Sequence, residues 1–155
     1  MSNKITKIGI ILLSLILITS VLTSVYAADV TETQFADFTF KHSDDLQRTD
    51  SQSQDTHGMT FKDKNNTMYT IRDDSGAIPS SYHSSSKDIK IGNWTVNEIK
   101  LDDTGSDTVS YQYNIEVKNK NVEIFVIVQD NVNANWDATQ PGNPVNYIIN
   151  SITEK

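Results

Sequence analysis

The 155-residue sequence contains no cysteine. This absence excludes disulfide bonds, which stabilise many small exported domains, and it excludes a lipid anchor attached to a cysteine. It also removes the thiolate ligands that most structural zinc sites use. The folded chain must therefore be held together by packing, with at most a bound ion to help.

Positive charge is scarce as well, and no run of Lys or Arg occurs in the chain. The formal net charge is −7. Nucleic acids and anionic membrane surfaces are bound through concentrated positive charge, so the sequence predicts neither of them as a partner. An acidic excess is a simple means of keeping an exported domain soluble.

The signature motifs of hydrolases are also missing, since the chain has neither a GxSxG elbow nor an HExxH pair. Its three histidines, His42, His57 and His83, all fall in segments that we predict to be loops. Their separations of 15 and 26 residues are not those of zinc ligands. A secreted hydrolase using loop carboxylates or His83 stays as the alternative function, and it requires such groups to converge in one pocket.

The longest apolar stretch lies at the N-terminus. Lys4 and Lys7 precede an uncharged run over 8–28, which thins into polar residues before Ala27, with a small residue two positions earlier. These are the parts of a signal peptide, so we predict that residues 1–27 are removed. A run of this length could also stay as a membrane anchor, which needs about 20 residues. The rest of the chain is in both cases expected to be secreted or extracytoplasmic.

Alternating apolar and polar residues predict the first strands of the exported part. Phe35–Phe40 is expected to be a half-buried strand, followed by a polar loop over 41–56. The segments 58–62 and 67–72 flank an Asx-rich linker of the kind that closes a hairpin. A long exposed connection then leads to the next strand.

Two further features predict the centre of the sheet. Between Ile89 and Leu101 the apolar positions change parity, which predicts a turn at Gly92-Asn93 and a bulge near Asn97-Glu98 that restores a common face. The segments 108–117 and 122–130 form the strongest hairpin. The second of these is apolar on both sides, as a central strand is.

A short helix is predicted at the C-terminus. Asn143 can cap it, Pro144 suits its first position, and four apolar residues recur at helical spacing: Val145, Ile148, Ile149 and Ile152. The predicted fold class is α+β, a mainly antiparallel sheet of about six strands with this helix on one face. It forms a single domain over 28–155, preceded by the signal or anchor helix.

The opening FADFTF, the meander of hairpins, the Tyr111-x-Tyr113 pair and the closing NPVNYIINSI together resemble small exported proteins of unknown function from methanogenic archaea. Their layout is similar to the PsbP-like fold. PsbP-like proteins usually act as non-catalytic accessory or binding proteins, so the resemblance implies a role of that class. It carries over no functional residue, and the proline that usually follows the first strand is absent.

An oxygen-rich loop runs from Asp102 to Asp107 with the sequence DDTGSD. Carboxylates and a glycine are what a calcium loop needs, so Asp102, Asp103 and Asp107 are candidate ligands. The D-x-D-x-D-G order of an EF-hand and its closing glutamate are absent. Because an ordinary strand connection explains the same residues, we expect no cofactor, and calcium is the alternative.

Three residues are candidates for recognition at the surface. Asn65 and Asn93 begin sequons at predicted turns and are candidate glycosylation sites. Trp136, between the last strand and the helix, could stack on a glycan or a protein, or it could plug the end of the sheet. The sequence therefore predicts a non-catalytic exported or cell-surface module, binding or accessory at the cell envelope, with an unknown protein or glycan as its partner.

Overall fold

The structure is a computed structural model, and it describes residues 29–49, 58–73, 82–101 and 106–154. The predicted cleavage site at Ala27, His57 and the calcium candidates Asp102 and Asp103 lie outside these ranges. Within them, no helix combines the length and the apolarity that a bilayer crossing requires. The chain divides into two units, residues 1–30 and residues 31–155.

The part of the chain that the structure describes contains ten strands and two short helices. The strands are β1 (Val30–Phe35), β2 (Phe38–Ser43), β3 (Gln47–Arg48), β4 (Met59–Lys62), β5 (Met68–Arg72), β6 (His83–Ile91), β7 (Trp94–Leu101), β8 (Thr108–Val117), β9 (Lys120–Gln129) and β10 (Thr153–Glu154). The helices are α1 (Asp130–Asn133) and α2 (Pro144–Ser151).

The strands form two sheets. One has three strands in the order β1-β2-β10, and the other has seven in the order β3-β4-β5-β9-β8-β7-β6, with antiparallel pairing throughout the larger sheet. The predicted α+β fold class with a mainly antiparallel sheet is confirmed. The structure has more strands than the predicted six, because the N-terminal and C-terminal segments add a small sheet of their own.

The predicted hairpin of β8 and β9 forms the centre of the larger sheet. The two strands pair without interruption along their whole length, and β9 is the fourth strand of the seven. Lys118 and Asn119 join them with φ values of 45° and 67°, which a tight two-residue turn requires. The central position is confirmed, but the cover that a strand apolar on both sides predicts is complete on one face only. Phe125 and Ile127 on the other face are partly exposed. The completely buried residues are Val122, Ile124, Val126 and Val128.

Helix α2 begins as predicted. The Asn143 side chain accepts a hydrogen bond from the Val145 N–H at 2.9 Å, and Pro144 is the first helical residue. The buried helical side chains belong to the same hydrophobic core as Phe40 of β2 and Ile124 of β9. The helix and the small sheet therefore share one core with one face of the larger sheet.

The strand predicted at Phe35–Phe40 is wrong, because the chain turns inside it. β1 ends at Phe35, Ala36 takes a φ of 47°, and β2 begins at Phe38. The apolar alternation belongs to β2 alone and continues to His42, which is only 6% exposed. A strand with a buried histidine at its end does not show its full length in a hydrophobic pattern.

The loop predicted over 41–56 therefore begins too early. β2 extends to Ser43, and Leu46 just after it is buried. β3 follows and pairs with β4. Residues 50–57 of the predicted loop lie outside the described ranges.

The bulge predicted near Asn97-Glu98 is also wrong. β6 and β7 keep one register along this stretch, and their irregularity lies between His83 and Ser85. Val96 faces the core, whereas Ile99 and Leu101 lie on the opposite face and are each 8% exposed. The parity changes because both faces of the sheet bury apolar side chains at this edge, so no bulge is needed.

Gly92, in the turn between β6 and β7, has a φ of 56°. A Cβ here would overlap Oδ1 of Asn150, whose amide donates to Asn146. We expect Gly92→Ala to lower the free energy of unfolding by about 2–3 kcal/mol, from the left-handed backbone and the displaced amide. Gly142→Ala is the control, because a Cβ there meets nothing within 4 Å. Equal urea midpoints for the two variants would contradict this account.

Candidate functional site

Six polar side chains line an open cleft at one end of the larger sheet, which we call the polar cleft. They are Asn65, Asn66, Asp107, Gln129, Asp130 and Asn131. The cleft has a volume of about 460 Å³, and small-molecule sites typically have ~300–1,000 Å³. Two residues singled out from the sequence, Asn65 and Asp107, therefore meet in one place.

The pairing of three strands brings these residues together. Met68 of β5 lies opposite Ile127 of β9, and Gln129 of β9 lies opposite Thr108 of β8. Asn66 precedes β5 by two residues, Asp107 directly precedes β8, and Asp130 directly follows β9. Three chain segments distant in sequence thus meet at the same end of the sheet, where these strands begin or end.

The turn that carries Asn65 and Asn66 is held by Asp63. Its Oδ1 accepts hydrogen bonds from the backbone N–H groups of Asn65 at 2.8 Å and Thr67 at 2.9 Å. Its Oδ2 accepts from the Tyr69 hydroxyl at 3.0 Å. Asn66 has a φ of 64°, a left-handed conformation that asparagine tolerates better than most residues. The turn is therefore fixed before any ligand arrives.

Replacing Asp63 tests this arrangement. We expect Asp63→Ala to lower the free energy of unfolding by about 2 kcal/mol, because two backbone donors and the Tyr69 hydroxyl lose a charged acceptor. Asp63→Asn keeps an acceptor oxygen and should cost less. Thermal denaturation of both variants measures the difference, and an Asp63→Ala protein as stable as the wild type would show that the turn does not depend on this carboxylate.

The other wall of the polar cleft is held by backbone contacts. The Asp130 N–H donates to the carbonyl oxygen of Asp107 at 2.9 Å. No side chain of the six lining residues forms a hydrogen bond with another residue of the described ranges. Their donors and acceptors are therefore available to a ligand.

Of the predicted calcium ligands, the structure describes Asp107 alone, and this residue is in the polar cleft beside Asp130. Among the described residues, no group of three or more His, Asp or Glu side chains could hold a metal ion. The calcium hypothesis stays a prediction that depends on Asp102 and Asp103.

An apolar surface adjoins the polar cleft. Because side chains alternate along a strand, Phe125, Ile127 and Gln129 share the face of β9 that points away from the core. Phe125 and Ile127 are partly exposed, and Met68, opposite Ile127, is 38% exposed. A ligand in the cleft would thus meet polar groups on one side and aliphatic groups on the other.

No protein-family model matches this sequence, and no curated protein is significantly similar to it. Solved structures do match. A crystal structure from Bacteroides thetaiotaomicron VPI-5482 aligns with a TM-score of 0.55 at 14% identity, over 83% of this chain and 48% of that one. This chain therefore spans about half the length of that protein. The likeness shows the fold alone.

A second match is the solution structure of cyanobacterial PsbP (CyanoP) from Synechocystis sp. PCC 6803. It aligns with a TM-score of 0.49 at 8% identity, over 83% of this chain and 94% of that one. The likeness between the two structures is weak and concerns their layout only. It transfers neither a ligand nor an activity to this chain.

Trp136 packs against the hydrophobic core and is not among the residues that line the polar cleft. Its ring stacks on Tyr111, with centroids 6.1 Å apart, and its Nε1 donates to the Tyr113 hydroxyl oxygen at 2.8 Å. Tyr69 is also in ring contact, at 6.3 Å. The indole is partly buried and its single donor is taken, which favours the packing role over the stacking role.

The prediction that all three histidines lie in loops is wrong for two of them. His42 belongs to β2 and is buried against Phe61, with ring centroids 4.7 Å apart. Its Nδ1 donates to the Ser43 carbonyl oxygen at 2.9 Å, and Nε2 pairs with the Thr33 hydroxyl at 3.0 Å. His83 opens β6, so its backbone lies in a strand. His42 therefore has a packing role.

The two predicted glycosylation sites differ in exposure. Both Asn93, in the turn after β6, and Thr95, the second residue of β7, are exposed in the second sequon. In the first sequon Asn65 is exposed, but Thr67 is fully buried. An enzyme that reads the folded surface could reach the hydroxyl of Thr95 and not that of Thr67. Glycosylation at both sites stays a prediction.

Two buried polar groups have no signal in the sequence pattern. Asn146 of α2 donates to the carbonyl oxygens of Ala138 and Thr139 at 3.1 and 3.0 Å, which ties the helix to the preceding loop. Glu123 of β9 is 1% exposed and accepts from Gln112 at 3.0 Å.

Proposed function

We propose that the protein is a non-catalytic exported module that binds a partner at the cell envelope through the polar cleft. The observation that supports this is the convergence of four carboxamides and two carboxylates from three chain segments. Side chains that form no internal hydrogen bond among the described residues and meet in a concave site are candidates for ligand binding. The apolar N-terminal stretch supports export. The residues that resemble small exported proteins of methanogenic archaea support an accessory role of this class.

The hydrolase alternative requires a base and a nucleophile in one pocket. His42 is enclosed in the core, and the six residues that line the polar cleft include two carboxylates, Asp107 and Asp130, but no histidine. The other four lining residues are carboxamides, which bind through hydrogen bonds and do not titrate. This composition favours binding over turnover.

A pull-down from solubilised envelope fractions, with and without calcium, tests the proposal. The bait is the full-length protein, compared with the double variant Gln129→Ala/Asn131→Ala. Gln47→Ala is the matched control, because Gln47 is an exposed glutamine outside the polar cleft. We expect a component that the wild type and the control retain and the double variant loses. Turnover on a hydrolase panel, abolished by one loop substitution, would overturn the proposal.

A further inference from the structure

We infer that the polar cleft binds a neutral saccharide through hydrogen bonds to its hydroxyl groups. This inference rests on the proposed function, because it names the chemical class of ligand for the same site. It follows from the chemistry of the lining side chains, from the size of the cleft and from the surface beside it.

The lining side chains match the hydrogen bonding of hydroxyl groups. Each of the four carboxamides, on Asn65, Asn66, Gln129 and Asn131, offers both donors and an acceptor. A sugar hydroxyl also donates and accepts, so one carboxamide can serve two neighbouring hydroxyls. The two carboxylates add acceptors for further hydroxyl hydrogens.

The same lining argues against an anionic ligand. No Lys or Arg is among the six lining residues, and two of the six are carboxylates. A phosphate or a carboxylate would be repelled at close range, since like charges destabilise each other in a partly desolvated site. A neutral polyhydroxylated molecule meets no such penalty.

A bare cation also fits the site poorly. Calcium takes oxygen ligands only, at about 2.3–2.6 Å, so the NH₂ group of each carboxamide would contribute nothing. A volume of about 460 Å³ is far larger than an ion needs and suits one or two sugar rings. The size and the donor groups thus favour the organic ligand.

The apolar surface beside the cleft completes the match. Met68 and Ile127 lie opposite each other on neighbouring strands, one step along the exposed face from Gln129. A pyranose ring has a face of C–H groups that can pack on such side chains while its hydroxyls reach the cleft. The fixed turn at Asp63 holds Asn66 in place, which lowers the entropy lost on binding.

The experiment is an NMR titration of the ¹⁵N-labelled protein, produced without N-glycosylation so that Asn65 is unmodified. The probes are neutral hexoses, N-acetylhexosamines and their disaccharides, with calcium chloride alone and sodium phosphate alone as separate arms. We expect at least one saccharide to shift the amide signals of residues 65–66, 107 and 129–131. Asn66→Gly removes a carboxamide without backbone strain and should weaken that binding at least tenfold, whereas Gln47→Ala should not change it.

Three results would overturn the inference: no saccharide shifts these signals, only calcium or phosphate does so, or the saccharide signals map to another surface. The pull-down separates this failure from a failure of the proposed function. If an envelope component is retained in a cleft-dependent manner while saccharides do not bind, only the ligand class is wrong. If retention does not depend on the cleft, the binding proposal itself is wrong.

Discussion

Above pH 10 the free energy of unfolding is expected to fall steeply. Burial, together with the neighbouring Asp63 carboxylate, raises the pKa of Tyr69 far above its ordinary value near 10. Burial does the same to the pKa of Tyr113, although the hydrogen bond from Trp136 opposes part of the rise, and the charge of Glu98 adds a smaller increase. Both phenols therefore stay protonated in the folded protein at a pH where the unfolded chain releases their protons.

This difference in protonation determines how the free energy of unfolding changes with pH. Below pH 10 the folded and unfolded states both keep these phenol protons, so the two tyrosines do not reduce the free energy of unfolding. As the pH rises above 10 the unfolded state alone ionises, so each tyrosine lowers the unfolding free energy by a slope approaching about 1.4 kcal/mol per pH unit. The loss continues until the folded pKa is reached. Two such residues predict alkaline unfolding of a chain that has no disulfide to resist it.

Urea titrations between pH 8 and pH 12 measure this slope. Tyr69→Phe and Tyr113→Phe should each reduce it by about 1.4 kcal/mol per pH unit, because phenylalanine does not titrate. Tyr82→Phe is the control, since Tyr82 is 60% exposed. A wild-type slope that neither buried variant changes would mean that the two phenols are not protected as the structure implies.

Trp136→Ala is expected to destabilise the fold by about 2–4 kcal/mol while leaving binding at the polar cleft intact. The substitution removes the ring that stacks on Tyr111 and the donor to Tyr113, and truncating a large aromatic side chain leaves a cavity. The value is below that of a fully enclosed tryptophan because Trp136 is only partly buried. Differential scanning calorimetry gives the loss of stability.

Trp136→Phe separates packing from hydrogen bonding. It keeps most of the ring contact but loses the indole N–H, so it should cost about 1–2 kcal/mol. Partner retention by Trp136→Ala, measured well below its unfolding temperature, should equal that of the wild type. Lost retention in a folded Trp136→Ala protein would place the binding surface around the tryptophan, which is the role considered for it from the sequence.

A local sequence pattern predicts an element correctly when the contacts that form the element join residues close together in the sequence. The β8–β9 hairpin is predicted by alternation on one strand and by a continuous apolar run on the other. Helix α2 is predicted by Asn143, Pro144 and a stripe of apolar residues. In each case the residues that form the element also carry the signal.

Elsewhere the decisive contacts are long-range. His42 is polar in the sequence and buried in the structure, because Phe61 and Thr33 cover it from other strands. Ile99 and Leu101 break the expected parity because a second sheet face is also buried. A model that assumes one buried face must add a bulge to explain them.

The polar cleft shows the same limit for function. Its residues come from the turn between β4 and β5, from the residue before β8 and from the end of β9 with the start of α1, and each segment alone is an ordinary polar segment. In the sequence, Asn65 belongs to a sequon and Asp107 to a predicted calcium loop, and nothing connects the two. Their convergence depends on the register of β5, β9 and β8, which no single segment encodes.

Hydrogen–deuterium exchange with mass spectrometry, with and without solubilised envelope extract, tests most directly whether the polar cleft is the surface that meets the partner. The account predicts slower exchange in peptides covering 64–67, 106–108 and 129–132 when extract is present, and no change around Trp136. Protection confined to the Trp136 loop or to the β6 edge, with the cleft peptides unchanged, would contradict it.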